Sequence, residues 1–210
     1  MLQDQLMNDF VQFFSLLFGI YWACLLIGFR VVRSQTNIGK RLEKFAWNSR
    51  IKMWRRQPVF EYLFSAIEKK KYLKSSFLVM LFNLPMVIFQ FLGGLILLSP
   101  IIAGYAGVLV GLIIGQGRGK VFFMYTLATL LFELGAFAFA GAIGMMIGKS
   151  WLLSDISFLD SFGFVFRQLS LYMFLPFVCL MLNGFLEALG PFFGIDGVPG
   201  IKAYRNHIYK

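Results

Sequence analysis

Apolar positions along this chain come in long unbroken runs rather than in the alternating or two-sided patterns of a soluble fold. The longest block, from Ser76 to Gly148, is interrupted only by the short polar turn Gln116-Gly117-Arg118-Gly119-Lys120. Roughly 20 apolar residues suffice to cross the hydrocarbon of a bilayer, so this block predicts two or three membrane-spanning helices. Further apolar runs lie on either side of it. The pattern predicts spans over about 10–29, 77–98, 101–115, 121–147 and 164–189. Between the first two lies a charged and aromatic segment, 30–75. The expected fold is all-α: one polytopic helical membrane domain over 1–210, with about five transmembrane helices and a basic amphipathic interfacial segment.

Within that segment Ile38, Leu42, Phe45 and Ala46 recur at helical spacing beside Lys40, Arg41, Lys44 and Arg50. Pro58 breaks the pattern, and Phe60, Leu63, Phe64 and Ile67 restart it before Lys69-Lys70-Lys71. A basic helix with aromatic residues on its apolar side is suited to the headgroup region, so 34–75 is expected to meet anionic lipid. A docking platform for a cytoplasmic protein is the sharper alternative. The 15 residues from Ile101 to Gly115 are barely enough to span, which leaves a re-entrant hairpin open.

Composition agrees with the pattern. The chain is 59% hydrophobic and 14% charged, against about 25% charged in ordinary soluble domains. Its net charge of +10 would suggest nucleic acid in a soluble protein, but 13 of the 20 Lys and Arg lie between Arg30 and Lys74. That clustering follows the positive-inside rule, and no nucleic-acid role is expected. With Arg118, Lys120 and the tail residues Lys202, Arg205 and Lys210 on the same side, only Lys149 and Arg167 lie opposite. The predicted topology places the N-terminus outside, 30–75 inside and the C-terminus inside. Phe10 to Phe29 lacks the basic start and cleavage site of a secretory signal and reads as a retained span.

Candidate chemistry is sparse. His207 is the only histidine, and Cys24 and Cys179 lie in separate apolar runs, so no metal site, catalytic triad or cofactor is expected. The chain is not expected to be an enzyme. Gly115 to Lys120 lacks the Gly-Lys-Ser/Thr ending of a phosphate loop. The intramembrane polar candidates are Glu133, Asn83, Asn183 and Glu187. Glu133 falls near the centre of its span, where a lipid-facing charge is costly, so it is expected to face inward and bond to a backbone carbonyl freed by a kink or to an amide on a neighbouring span. Asn183 and Glu187 are one helical turn apart. Gly107, Gly111 and Gly115 form consecutive small-xxx-small steps, which let helix backbones approach closely. Their expected partner is the Gly/Ala face of the next span, Ala136, Ala140, Gly144 and Gly148.

Several of these stretches carry a likeness. Ser76-Phe77-Leu78 to Asn83, the small-residue hairpin from Ser99-Pro100 to Gly115, and Asn183-Gly184-Phe185-Leu186-Glu187-Ala188 followed by Pro191 are similar to the family of stage II sporulation protein M. So is Phe132-Glu133-Leu134-Gly135-Ala136, which resembles that family's glutamate-bearing span. The likeness covers roughly 75–192 and leaves 34–75 unmatched. It implies a non-enzymatic membrane subunit of a bacterial cytoplasmic membrane, working with other membrane-associated proteins. The family's namesake is a membrane scaffold for peptidoglycan-degrading partners during engulfment, but that role is not inherited with the fold. The alternative is a transporter or permease component, suggested by Glu133, Asn83, Asn183 and the prolines Pro85 and Pro176 inside spans.

Overall fold

The computed structural model describes residues 2–56, 59–115, 120–153, 156–170 and 172–189. Among them the chain forms eight α-helices in the order α1 (Leu2–Arg33), α2 (Asn37–Arg56), α3 (Val59–Glu68), α4 (Tyr72–Leu95), α5 (Ser99–Ile114), α6 (Lys120–Leu153), α7 (Phe158–Leu169) and α8 (Leu175–Leu189). A single 3-10 turn, Tyr172–Phe174, precedes α8. The polar turn at 116–119 and the tail from 190 onward lie outside the described residues.

Four segments are long and apolar enough to cross a membrane: Leu6–Arg33, Tyr72–Leu95, Met124–Leu153 and Tyr172–Leu189. Helix α5 is a shorter apolar helix beside them. In α6, 78% of the most apolar 18-residue window is buried, against 22% to 33% in the other three. Helix α6 is therefore the central post, and the others turn one side to it and one side to lipid.

Register contacts give the directions. Tyr21 meets Phe137 and Asp9 pairs with Lys149, so α1 and α6 are antiparallel. Phe91 and Leu95 lie against Gly144 and Gly148, so α4 and α6 are parallel. Helix α5 follows α1 in the same direction, from Ile20 beside Gly104 to Val32 beside Gly115. Ser76 contacts Met181 and Gly184, while Leu84 to Phe91 face Met173 to Phe177, so α8 opposes α4. Helices α1, α5 and α8 thus run one way and α4 and α6 the other. Chain order alternates direction through the five apolar helices α1, α4, α5, α6 and α8, as in a polytopic bundle.

The connections are set by local chemistry. The Thr36 hydroxyl accepts a hydrogen bond from Gly39 N at 3.1 Å and caps α2. Helix α2 folds back on the end of the bundle, burying Ala46 against Val32 and Leu112. Its other side leaves Ile38 and Phe45 70% and 59% exposed beside exposed Lys40, Arg41 and Lys44. Helix α4 ends in a Schellman arrangement, with Leu98 N donating to Gly93 O at 2.7 Å and Leu97 N to Gly94 O at 2.9 Å.

Three expectations change. The last span is not continuous from 164 to 189: α7, a 3-10 turn and α8 replace it. Ser157 caps α7 by accepting from Asp160 N at 3.2 Å, and Pro176 falls at the start of α8, where its missing N–H does least harm. Helix α6 does not stop at 147 but continues through Trp151 to Leu153. Finally, α4 begins at Tyr72 and continues through Pro85. The division of the basic segment near Pro58 agrees with α2 and α3.

Candidate intramembrane polar site

The polar side chains inside the apolar helices gather at two levels. At the first, the Gln90 amide of α4 donates to the Tyr21 hydroxyl of α1. The Ser99 hydroxyl, at the start of α5, donates to the Gln90 carbonyl at 2.6 Å. Tyr21, Gln90 and Ser99 are all fully buried. Gly141 of α6 provides their room, since a Cβ there would lie 3.1 Å from Ser99 Oγ and 3.4 Å from Gln90 Oε1. Four helices therefore meet at one polar tie. Unpaired polar groups in hydrocarbon cost several kcal/mol, so such ties fix which helices are neighbours.

Glu133 lies about two turns, roughly 12 Å, from Gly141 along α6 and so stands apart from this level. It is half-buried on α6, and its carboxyl is within electrostatic reach of the Tyr21 hydroxyl.

The second level lies toward the end of the bundle that carries α2 and α3. Asn183 Nδ2 donates to Glu187 Oε1 at 3.3 Å on α8, and the Tyr125 hydroxyl of α6 donates to the Leu186 carbonyl at 2.9 Å. The Ser76 hydroxyl of α4 donates to the Met181 carbonyl at 3.2 Å. Asn83 is buried on α4, two turns beyond Ser76. Because Tyr125 marks the level of Glu187, Glu133 and Glu187 are separated by about two turns of α6, roughly 12 Å. They do not form a carboxylate pair.

The glycines pack as close-approach points, but against a different helix than expected. A Cβ on Gly107 would lie 2.6 Å from the Tyr21 carbonyl, one on Gly111 would strike the Leu25 carbonyl, and one on Gly115 would lie 2.9 Å from Val32 Cβ. From the opposite side Gly28 of α1 faces Val108. The seam is α5 with α1, not α5 with α6. Gly144 and Gly148 of α6 instead meet α4 at Phe91, Gly94 and Leu95. A third approach brings Gly184 of α8 against Ser76 of α4.

Tyr21, Gln90, Ser99 and Tyr125 escaped the sequence reading. A second amide beside Asn83 within Phe77–Leu98 was the available signal for Gln90. Tyr21 and Tyr125 pass as apolar aromatic residues until their hydroxyls are placed.

A family model described as stage II sporulation protein M matches residues 12–190. The chain belongs to that family. The match runs through the basic segment that the residue-level likeness left uncovered, so α2 and α3 lie within the region the family model matches. No curated protein and no solved structure matches. Family membership and the long apolar helices together make this an integral membrane protein of the stage II sporulation protein M family.

Proposed function

We propose that the protein is a non-enzymatic scaffold or accessory subunit of a membrane assembly, in a bacterial cytoplasmic membrane with α2 and α3 on the cytoplasmic side. The observation that carries this reading is how the bundle spends its intramembrane polar groups. Tyr21, Gln90, Ser99, Ser76 and Tyr125 join one helix to another rather than line an open path. Glycine seams bring three helix pairs to backbone contact, which suits a rigid framework. Two apolar recesses among the described residues, between α1 and α6 and between α4 and α8, are lined by hydrophobic side chains with Thr126 as the one hydroxyl residue.

A transporter component is the second reading, and Glu133 is the observation that favours it, because ionisable residues within spans often mark ion or substrate paths. Identifying proteins that copurify after mild detergent extraction separates the two. A stoichiometric cell-wall hydrolase or other membrane-associated enzyme supports the scaffold. A stoichiometric ATPase overturns it in favour of transport.

A further inference from the structure

Between α1 and the first half of α6 lies a recess of about 110 Å³, lined by Trp22, Leu25, Leu26, Phe29, Ile114, Thr126, Leu127 and Leu130. Trp22, Leu26 and Phe29 follow one another at helical spacing down one stripe of α1, and Arg33 comes next on that stripe. The structure places the Arg33 guanidinium over the ring of Phe29, 5.3 Å from its centroid. A fixed cation thus stands at the end of the recess nearest the membrane surface. At the deep end, Glu133 lies one turn beyond Leu130 on the same stripe of α6.

An apolar slot that runs along two spanning helices and ends beneath a guanidinium has the two-part chemistry of one class of ligand. We propose that this recess is a binding site for a single anionic phospholipid, with part of an acyl chain between α1 and α6 and the phosphate at Arg33. Guanidinium groups bind phosphate through two parallel N–H bonds, the net charge of an anionic headgroup keeps that attraction whole where the choline cation of phosphatidylcholine opposes it, and each methylene buried in the slot adds its own increment. The larger recess between α4 and α8 serves as an internal contrast. Its lining, drawn from α4, α6, α7, the 3-10 turn and α8, is wholly apolar, so it has no means of selecting a headgroup. The proposal is independent of the scaffold reading and of the diffuse attraction of α2 for anionic surfaces.

The test uses the full chain in detergent, exposed to an equal mixture of phosphatidylglycerol and phosphatidylcholine, with retained lipid counted by native mass spectrometry. A cation near an anionic headgroup contributes enough to give about a fivefold preference for phosphatidylglycerol, at one lipid per chain. Arg33→Gln is expected to bring the preference near parity. Lys40→Gln combined with Lys44→Gln, on exposed α2, is expected to leave it unchanged. Thr126→Phe, which fills the slot and keeps every charge, is expected to remove the retained lipid while helical content and monodispersity stay as in wild type. Equal retention of both lipids by wild type overturns the site. So does a preference that survives Arg33→Gln, a preference lost as fully in the α2 variant, or a lipid still held by a folded Thr126→Phe protein.

Discussion

Leu97 has a φ of 59° at the corner between α4 and α5, a conformation that crowds the Cβ of any L-residue. It is the left-handed residue of the Schellman ending, the position glycine most often fills. Leu97→Gly should therefore stabilise the folded protein by about 1 kcal/mol, less whatever lipid or core contact the leucine side chain makes. A rise in the thermal unfolding midpoint in detergent checks it; a fall shows that the side-chain contacts outweigh the strain. Glu133 presents a different question at the same scale. If it clamps α6 to α1 near Tyr21, shape and hydrogen-bonding capacity matter and titration does not. Glu133→Gln should then keep assembly, activity and unfolding midpoint, while Glu133→Ala should lose stability by about 1–3 kcal/mol as a buried polar partner is removed. Activity lost in Glu133→Gln with assembly intact would move the assignment to proton or ion handling.

At the scale of helices, the α1/α5 seam rests on backbone contact. A methyl group at Gly111 meets the Leu25 carbonyl, which cannot yield without separating the helices. Gly111→Ala should cost about 1–3 kcal/mol, the range for overpacking a fitted interface. Gly19, on the exposed side of α1 with open space around it, is the control: Gly19→Ala should be neutral or stabilising by up to about 1 kcal/mol. Comparing unfolding midpoints of the two variants tests the seam. The small-xxx-small spacing was plain in the sequence, and its partner was not. Proximity along the chain favours α6, but the parallel run of α5 on α1, with Gly28 facing back, decides the pairing. Similarly, hydropathy alone merged α7 with α8, because an amphipathic helix and a span both add apolar residues to a window. The Ser157 cap with Asp160 in the first turn was the local signal that a separate helix begins there. The basic segment was legible to the helix, since Pro58 and the charge pattern mark both of its parts. A peptide covering 34–75 should become helical with anionic vesicles and stay unstructured with neutral ones, each Lys or Arg contributing about 1 kcal/mol at low salt. An equal response to both vesicles would remove charge from the account of α2.

The whole molecule poses the question of which face it turns to the cytoplasm. Arg30 and Arg33 end α1, 13 of the 20 Lys and Arg lie between Arg30 and Lys74, and Tyr72 begins α4 on the same side. The end bearing Asp9 and Lys149, joined at 2.7 Å, is poor in cations by comparison. Helix α5 decides how the count continues. At 16 residues it is about 24 Å long, short of the roughly 30 Å of hydrocarbon. Yet it starts level with Leu17 and Gly141 and descends beside α1 to Val32, one residue from Arg33. It starts recessed within the membrane and reaches the basic end, which is the path of a traverse rather than of a hairpin returning to its own side. Its last described residues, Ile114 and Gly115, lie at the basic end beside Val32. In a variant with Cys24 and Cys179 replaced, cysteines introduced at 118 and 207 should resist a membrane-impermeant thiol reagent in intact cells and react after permeabilisation. A cysteine at exposed Leu153, the far end of α6, should react without permeabilisation. Labelling at 118 from the outer face would return α5 to a re-entrant hairpin. Labelling at 207 alone would instead reverse the last traverse, leaving α1 to α6 oriented as proposed.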